Sequence, residues 1–298
     1  MQVDLSLLPS PEDIETLDFE TLLDAYKADL LSRYPAIADV LDLESEPVLK
    51  VLEVCAYREL QLRARYNDEA RAILLAYAVR TDLDHLGVTY YQEPRLTVEP
   101  TNPSTIPPTP AIMETDDDYR QRLALKPESW SVAGPRDAFK FHAISADGQI
   151  KDASVTSPQG GTTQIYVLTR TGSGIPDATL LATVSGAVNG ESVRPLSEEV
   201  LVSAATIVNY TLSISLTLFS GPSTELVTSA VQNALSLYAS ANHRLGNDII
   251  RSAIDAAAHV AGVKKVVVNS PVADIVCTPG QAPYCTAITV VIATIEQS

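Results

Sequence analysis

The sequence predicts an α+β protein: an N-terminal helical region built on one long helix, a proline-rich linker, and two small α+β units with mixed or antiparallel sheets. Three observations lead there. No glycine or proline interrupts residues 48–86, a run rich in the strong helix formers Leu, Ala, Arg, Glu and Gln. Pro94, Pro100, Pro103, Pro107, Pro108 and Pro110 then exclude regular helix and central strand. Farther on, Val208, Tyr210, Leu212, Ile214, Leu216 and Leu218 alternate with polar residues, the period-two signature of a strand with one buried face. The organisation that follows is a helical region at 1–92, a linker at 93–114, a central α+β unit at 115–220 and a C-terminal α+β unit at 221–298.

Asp18 opens the first helix, in which Phe19, Leu22, Leu23, Tyr26 and Leu30 recur at helical spacing before Pro35 marks its end. Ser45 is placed to cap the long helix, with Glu46 and Pro47 in its first turn. The apolar stripe of that helix reads Val48, Leu52, Cys55, Leu62, Tyr66, Ala70, Ile73 and Tyr77, interrupted by Glu59, which puts Cys55 in the core. Continuous from Glu46 to Val79, the helix would run about 50 Å at 1.5 Å per residue. A break at Asn67–Asp68 is the alternative, because both residues favour caps over helix interiors. Thr81 and Asp84 resemble a capping box for one last turn, which Gly87 closes.

Beyond the linker, Thr115 caps a helix that begins Asp116-Asp117-Asp118. Three carboxylates in a row invite a metal, but acidic groups in a first turn also complement the helix dipole, and no further ligand cluster follows. Gly134–Pro135 starts a helix with Phe139, Ala143 and Ala146 on one side. Strands at 150–157 and 163–170 flank the turn Pro158-Gln159-Gly160-Gly161, and a helix at 176–188 ends at Asn189–Gly190. With the strand at 208–218, this order predicts a small sheet with helices on one face. After Gly221–Pro222, Ser223 and Asn247 cap two more helices, Gly262 closes the second, and strands at 263–269 and 287–295 complete the chain, which shows no internal repeat.

The net charge is −16 over 298 residues, with 20 acidic against 9 basic side chains in residues 1–100 alone. Nucleic acid and anionic lipid bind clustered Lys and Arg, so neither is an expected partner. Asp4, Glu12, Asp13 and Glu15 come too early for a basic, apolar signal sequence, and the uncharged stretch from Val200 to Thr224 alternates like a strand; a soluble protein made in the cytoplasm is expected. Three cysteines fit that compartment. Cys277 and Cys285 flank a loop and would permit a hairpin disulfide, but free thiols are the expectation. His85, His142, His243 and His259 form no ligand pair, and no nucleophile elbow, phosphate loop or dinucleotide fingerprint occurs. No catalytic residue, cofactor or metal is therefore expected. Arg58, Arg63, Tyr66, Arg71 and Tyr77 on the long helix are the candidate partner-contact residues, because Tyr and Arg combine apolar area with directional hydrogen bonds. The alternative for each is a solvated face with i,i+4 pairs such as Glu59–Arg63.

With these segments laid out, the chain resembles the baseplate J-like proteins of contractile-tailed bacteriophages and phage-tail-like bacteriocins (tailocins). The carrying residues are AYRELQLRARYNDEARAILLAYA with TDLDHLGV (Ala56–Ala78, Thr81–Val88), ETDDDYRQRLAL (Glu114–Leu125), SVAGPRDAFKFHA (Ser131–Ala143), VRPLSEEVLV (Val193–Val202) and LGNDIIRSAIDAAAHVAGVKKVVV (Leu245–Val268). Their order across nearly the whole chain is what makes the match specific; the linker does not share it. The resemblance implies a structural wedge component of a contractile-injection baseplate. It would join a second copy of itself and another wedge protein, with neighbouring wedges, hub and sheath proteins as further candidate partners. The ring would rearrange on contraction, with a hinge at the linker. It carries over no catalytic residue. Two competing functions are a tail-associated cell-wall hydrolase, detectable by clearing of peptidoglycan, and a receptor-binding adhesin, a class more often β-rich and repetitive.

Overall fold

The computed structural model describes residues 8, 15–41, 43–131, 133–221 and 223–296. Asp4, Glu12 and Asp13, the residues that argue against a signal sequence, lie outside the described residues, as do Val132 and Pro222. The class is α+β, and the chain divides into two compact units, Met1–Pro94 and Arg95–Ser298.

The first unit is helical. Asp18 caps α1 (Phe19–Arg33) by accepting from the Glu20 amide, and Tyr34 ends the helix just before Pro35. Next comes α2 (Pro47–Ala72), 26 residues and about 39 Å long. Its N-cap is Glu46, not Ser45: the Glu46 carboxylate accepts from Val48 N while Pro47 occupies the first helical position. No break occurs at Asn67–Asp68. Asn67 is buried inside the helix, and its amide donates to the Glu15 carbonyl at 2.8 Å, so a tertiary bond overrides its preference for caps. A turn after Ala72 leads to α3 (Arg80–Leu86), which starts one residue ahead of the expected Thr81–Asp84 box and has no side-chain cap. Gly87 does not close it. The backbone runs on through a π-turn at Gly87–Tyr91 and stops at Gln92, which takes the left-handed conformation at φ 56°.

The second unit begins inside the stretch read as a linker. There β1 (Thr97–Glu99) pairs antiparallel with β2 (Ile112–Met113). Gly148 permits the close approach of β1, since a Cβ at that position would sit 2.2 Å from the Thr97 carbonyl oxygen. Glu114 and Arg122 then form an ion pair at 2.9 Å that is buried from solvent. Arg95 donates to the Glu114 carbonyl at 2.7 Å, and the Arg95 and Arg122 guanidiniums lie 4.8 and 5.2 Å from the centre of the buried Tyr119 ring. This cluster anchors α4 (Asp116–Leu125), capped as expected by Thr115, whose hydroxyl accepts from Asp118 N at 3.2 Å.

The central layer comprises α5 (Arg136–Ser145), β3 (Ile150–Gln159), β4 (Thr162–Thr169), α6 (Ala178–Val188) and β5 (Glu199–Ala204). Its sheet runs β3-β4-β5, antiparallel then parallel, over a core that includes Phe139, Ala143, Ile165, Val167, Val184 and Val188. The strand read at 208–218 does not join this sheet. It is β6 (Thr206–Phe219), and it centres a second sheet ordered β7-β6-β8 with β7 (Val263–Ser270) and β8 (Gln281–Glu296). The physical reason is β5, a short strand that fills the third place of the central sheet and hands the chain over at Ala205. The buried face of β6 packs on α7 (Thr224–Asn242) and α8 (Arg251–Ala258) through Leu212, Ile214, Leu216, Val231, Leu235 and Ile254. Asn247 does not cap α8. The capping oxygen belongs to Asp274, which accepts from Arg251 N at 2.8 Å from 23 residues away. Cys277 is buried and Cys285 half-buried, both as free thiols.

The two layers meet through a small apolar cluster, Leu168, Ala205, Leu245 and Ala282, and through carboxylates. Asp152 accepts from Leu245 N at 3.0 Å. Asp118 is shared by Arg170 and, at 3.2 Å, by Arg244. The three consecutive aspartates thus diverge: Asp116 pairs with Arg95 at 2.7 Å, Asp117 with Arg120 at 2.8 Å, and Asp118 with the two arginines at the join. They share no common focus for a cation, and among the described residues no group of three metal-ligating side chains occurs. Burial pushes the Asp118 carboxyl up, but Arg170, helped by Arg244, outweighs that and holds it below its ordinary 3.8. Asp118→Asn would leave two partly buried guanidiniums without their anion. It should cost roughly 2–3 kcal/mol in urea unfolding at pH 7, less than a fully buried pair because all three side chains keep some water. A depressed carboxyl contributes above its unfolded value and loses that contribution as pH falls through the folded one. The unfolding curves of the wild type and the variant should therefore converge below pH 3.8.

Candidate partner-binding surface

The long helix α2 is apolar on two sides. One side faces α1: Leu49 and Ala56, with Leu52 and Leu60, pack against Leu22, Leu23, Phe19 and Tyr26. Hydrogen bonds reinforce this side. Tyr26 donates to Glu59 at 2.6 Å, and Arg63 bridges Glu59 at 2.7 Å and Glu15 at 2.9 Å. The bond from Tyr26, then those from Arg63, hold the Glu59 carboxyl below its ordinary range, and the same Tyr26–Glu59 bond pushes the tyrosine hydroxyl up.

The other side is bare. Val51, Val54, Leu62, Tyr66 and Ile73 are 61, 60, 51, 62 and 71% exposed, and Cys55 is exposed among them. At about 100° per residue these six positions fall within an arc about 120° wide, the width of a stripe that normally faces a core. Arg58, Arg65 and Glu69 share the arc, and Arg58 donates to Gln61 at 3.1 Å. An exposed apolar stripe edged by charged groups marks a surface built for contact.

The five candidate residues separate on this geometry. Arg58 and Tyr66 lie on the bare arc. Arg63 is half-buried and held by the two glutamates. Arg71 is exposed on the far side of the helix from the arc. Tyr77 lies beyond α2, half-buried, with its hydroxyl donating to the Leu8 carbonyl. The expectation that Cys55 is core is incorrect: its stripe and the true core stripe run down the same helix about a third of a turn or more apart, and α1 covers the one containing Leu49 and Ala56. Val51 and Val54 were missed altogether. The signal for them was a second apolar arc at the same helical spacing, in a region with one short helix available to cover it.

Three family models match the chain: Baseplate J-like N-terminal domain at residues 44–102, Baseplate J-like central domain at 131–204, and Baseplate J-like protein C-terminal domain at 210–291. A relative, Baseplate protein J of Escherichia phage P2, is 48% identical over 294 residues, covering 97% of each chain. The chain belongs to the baseplate J-like family.

Substitution on the bare arc should leave the isolated protein intact. Leu62→Asp is expected to change unfolding free energy by no more than about 0.5 kcal/mol, as at other exposed sites. Leu23→Ala, on the covered side, should cost about 2–5 kcal/mol. Denaturant unfolding of both variants checks the contrast.

Proposed function

We propose that this chain is a structural wedge subunit of a phage-tail baseplate, working through surface contact and not through turnover of a substrate. The observation that carries the reading is the bare arc of α2 in a chain of the baseplate J-like family. The arc takes helices from a second copy and from another wedge protein, in the manner of an amphipathic stripe laid into a groove. Adjacent wedges then close a ring around the hub, and the ring rearranges when the sheath contracts. The boundary at Pro94–Arg95, where one compact unit gives way to the other, is the place for flexion between them. Its location is the tail baseplate of a virion or of a phage-tail-like bacteriocin, assembled in the host bacterial cytoplasm.

Nucleic acid and membrane have no part in this reading. The net charge of −16 opposes polyanion binding, and among the described residues no helix is long and apolar enough to cross a membrane. The competing hydrolase reading draws no support from Asp116–Asp118, which are each paired with arginines.

The test is assembly in the producing cell. Leu62→Asp together with Tyr66→Ala should reduce incorporation of the chain into tail particles by tenfold or more, by immunoblot of purified particles, while the soluble protein accumulates normally. Wild-type incorporation would remove α2 from the interface. Peptidoglycan clearing by the purified chain, retained at full strength in the particle-free state, would overturn the structural reading as a whole. Comparison of electron-microscopy maps before and after contraction checks the flexion, which requires the two units to change their mutual angle.

A further inference from the structure

Between the two α+β layers of the second unit lies a cavity of about 430 Å³. Lys151 of β3 and Arg170 after β4 supply charge to its wall; Ser236 and Ser240 of α7, His243 and Tyr284 supply polar atoms. The charges around it do not balance. Arg170 and Arg244 share one carboxylate, Asp118. Asp152, next in sequence to Lys151, pairs instead with Lys140 at 3.1 Å and accepts from the backbone amides of Ala153 and Leu245. Among the described residues, the Lys151 ammonium donates to the Ser240 carbonyl alone, at 3.3 Å. Three cations therefore face one available carboxylate, a surplus of two positive charges in a partly buried place, on a chain whose net charge is −16.

Like charges held together away from water repel strongly and favour whatever neutralises them. Burial, then Arg244, push the Lys151 ammonium down, and Asp118 and Asp152 do not restore it. Donors remain for a ligand. Lys151 has spent one of three N–H groups, and Arg170 bonds Gly148 O at 3.0 Å and Asp118, leaving part of its guanidinium fork unused. His243 is oriented but supplies no proton while neutral: Pro283 O can only accept, at 2.7 Å, so Nδ1 donates and Nε2 carries the lone pair. Its imidazole makes a built-in reporter of the cavity.

We propose that this cavity binds a small oxyanion, a phosphate or carboxylate group, held by Lys151 and Arg170 with the hydroxyls of Ser236, Ser240 and Tyr284 at its edge. The shared chemistry is an anionic oxygen pair or triad that offsets the surplus positive charge. Its source is either free phosphate or a carboxylate carried by another molecule.

The test is titration of the full-length chain with inorganic phosphate at constant ionic strength, balanced with sodium chloride, at pH 7. His243 imidazole signals are followed by NMR and unfolding by heat. A saturable His243 shift and a phosphate-dependent rise in Tm are expected. Lys151→Gln keeps a donor for the Ser240 carbonyl and so preserves the fold; it should weaken phosphate binding about tenfold, equivalent to about 1.4 kcal/mol, while Lys151→Arg retains it. Acetate in place of phosphate separates the sources: an equal effect assigns the site to carboxylates, and a response to phosphate alone assigns it to phosphate. An unsaturable shift, the same titration in Lys151→Gln, or equal response to chloride alone would overturn the proposal.

Discussion

The first unit is governed by a mismatch: α2 presents two apolar sides and α1 covers one. The covered side is defined by geometry as well as by hydrophobicity, because Tyr26, Glu59, Arg63 and Glu15 tie α1 and the preceding chain to one edge of α2. Asn67 holds Glu15 at the far end. With that face fixed, Val51, Val54, Leu62, Tyr66 and Ile73 stay exposed among the described residues. Full burial of a Val, Leu or Ile side chain is worth roughly 1.5–3 kcal/mol, so the four aliphatic residues among them leave a sizeable apolar term that the covered face of α2 does not use. The arginines inside the arc add direction to a contact that apolar area alone leaves unspecified.

The second unit solves a different problem. Its two three-stranded sheets each bury one face on their own helices, so each layer has an apolar core of its own. Beside the small apolar cluster of Leu168, Ala205, Leu245 and Ala282, what relates the layers is polar: Asp118 between two arginines, and Asp152 at the Leu245 amide. Apolar contact tolerates sliding, whereas a carboxylate shared by two guanidiniums fixes position, because either misalignment leaves a partly buried charge unpaired. The same preference for polar fixing appears at the entry to the unit, where Glu114, Arg122, Arg95 and Tyr119 pin the base of α4. A buried ion pair adds little net energy over apolar packing; its contribution here is a defined geometry for the β1–β2 arm.

Local signals in the sequence were legible where one residue or one period decides the outcome. Asp18 and Thr115 cap helices because the oxygen and the amide it serves are two or three residues apart. The alternation in β6 is visible because its polar positions are all Ser, Thr or Asn. Long-range effects were not legible. Asp274 caps α8 across 23 residues, which hid the true start of that helix behind the more obvious Asn247. Asn67 stays helical because of Glu15, a partner no local rule supplies. The uncharged stretch from Val200 onward reads as strand, but nothing local marks its division at Ala205 into β5 and β6, and without that division β6 was assigned to the wrong sheet. Among the candidate contact residues, Arg58 and Tyr66 fall on the exposed arc, whereas Arg63 is held by Glu59 and Glu15 and Tyr77 by the Leu8 carbonyl, since residue type alone does not report which helix face is already occupied.

The phase of α2 is the most instructive of these cases. A helix with one apolar arc announces its inside; a helix with two does not say which of them its own chain covers. Periodicity cannot rank the arcs, because both satisfy the same spacing. The ranking comes from polar residues at their borders. Glu59 and Arg63 interrupt any apolar reading of their edge, yet they mark the covered side, since they are the groups that Tyr26 and Glu15 engage. Arg58 and Arg65, which look equally like solvent-facing charges, lie within the side left bare. Charged residues beside an apolar stripe are therefore better read by asking which segment of the same chain carries their complement. Where such a segment exists among the described residues, as α1 and Glu15 do here, the stripe it borders is core.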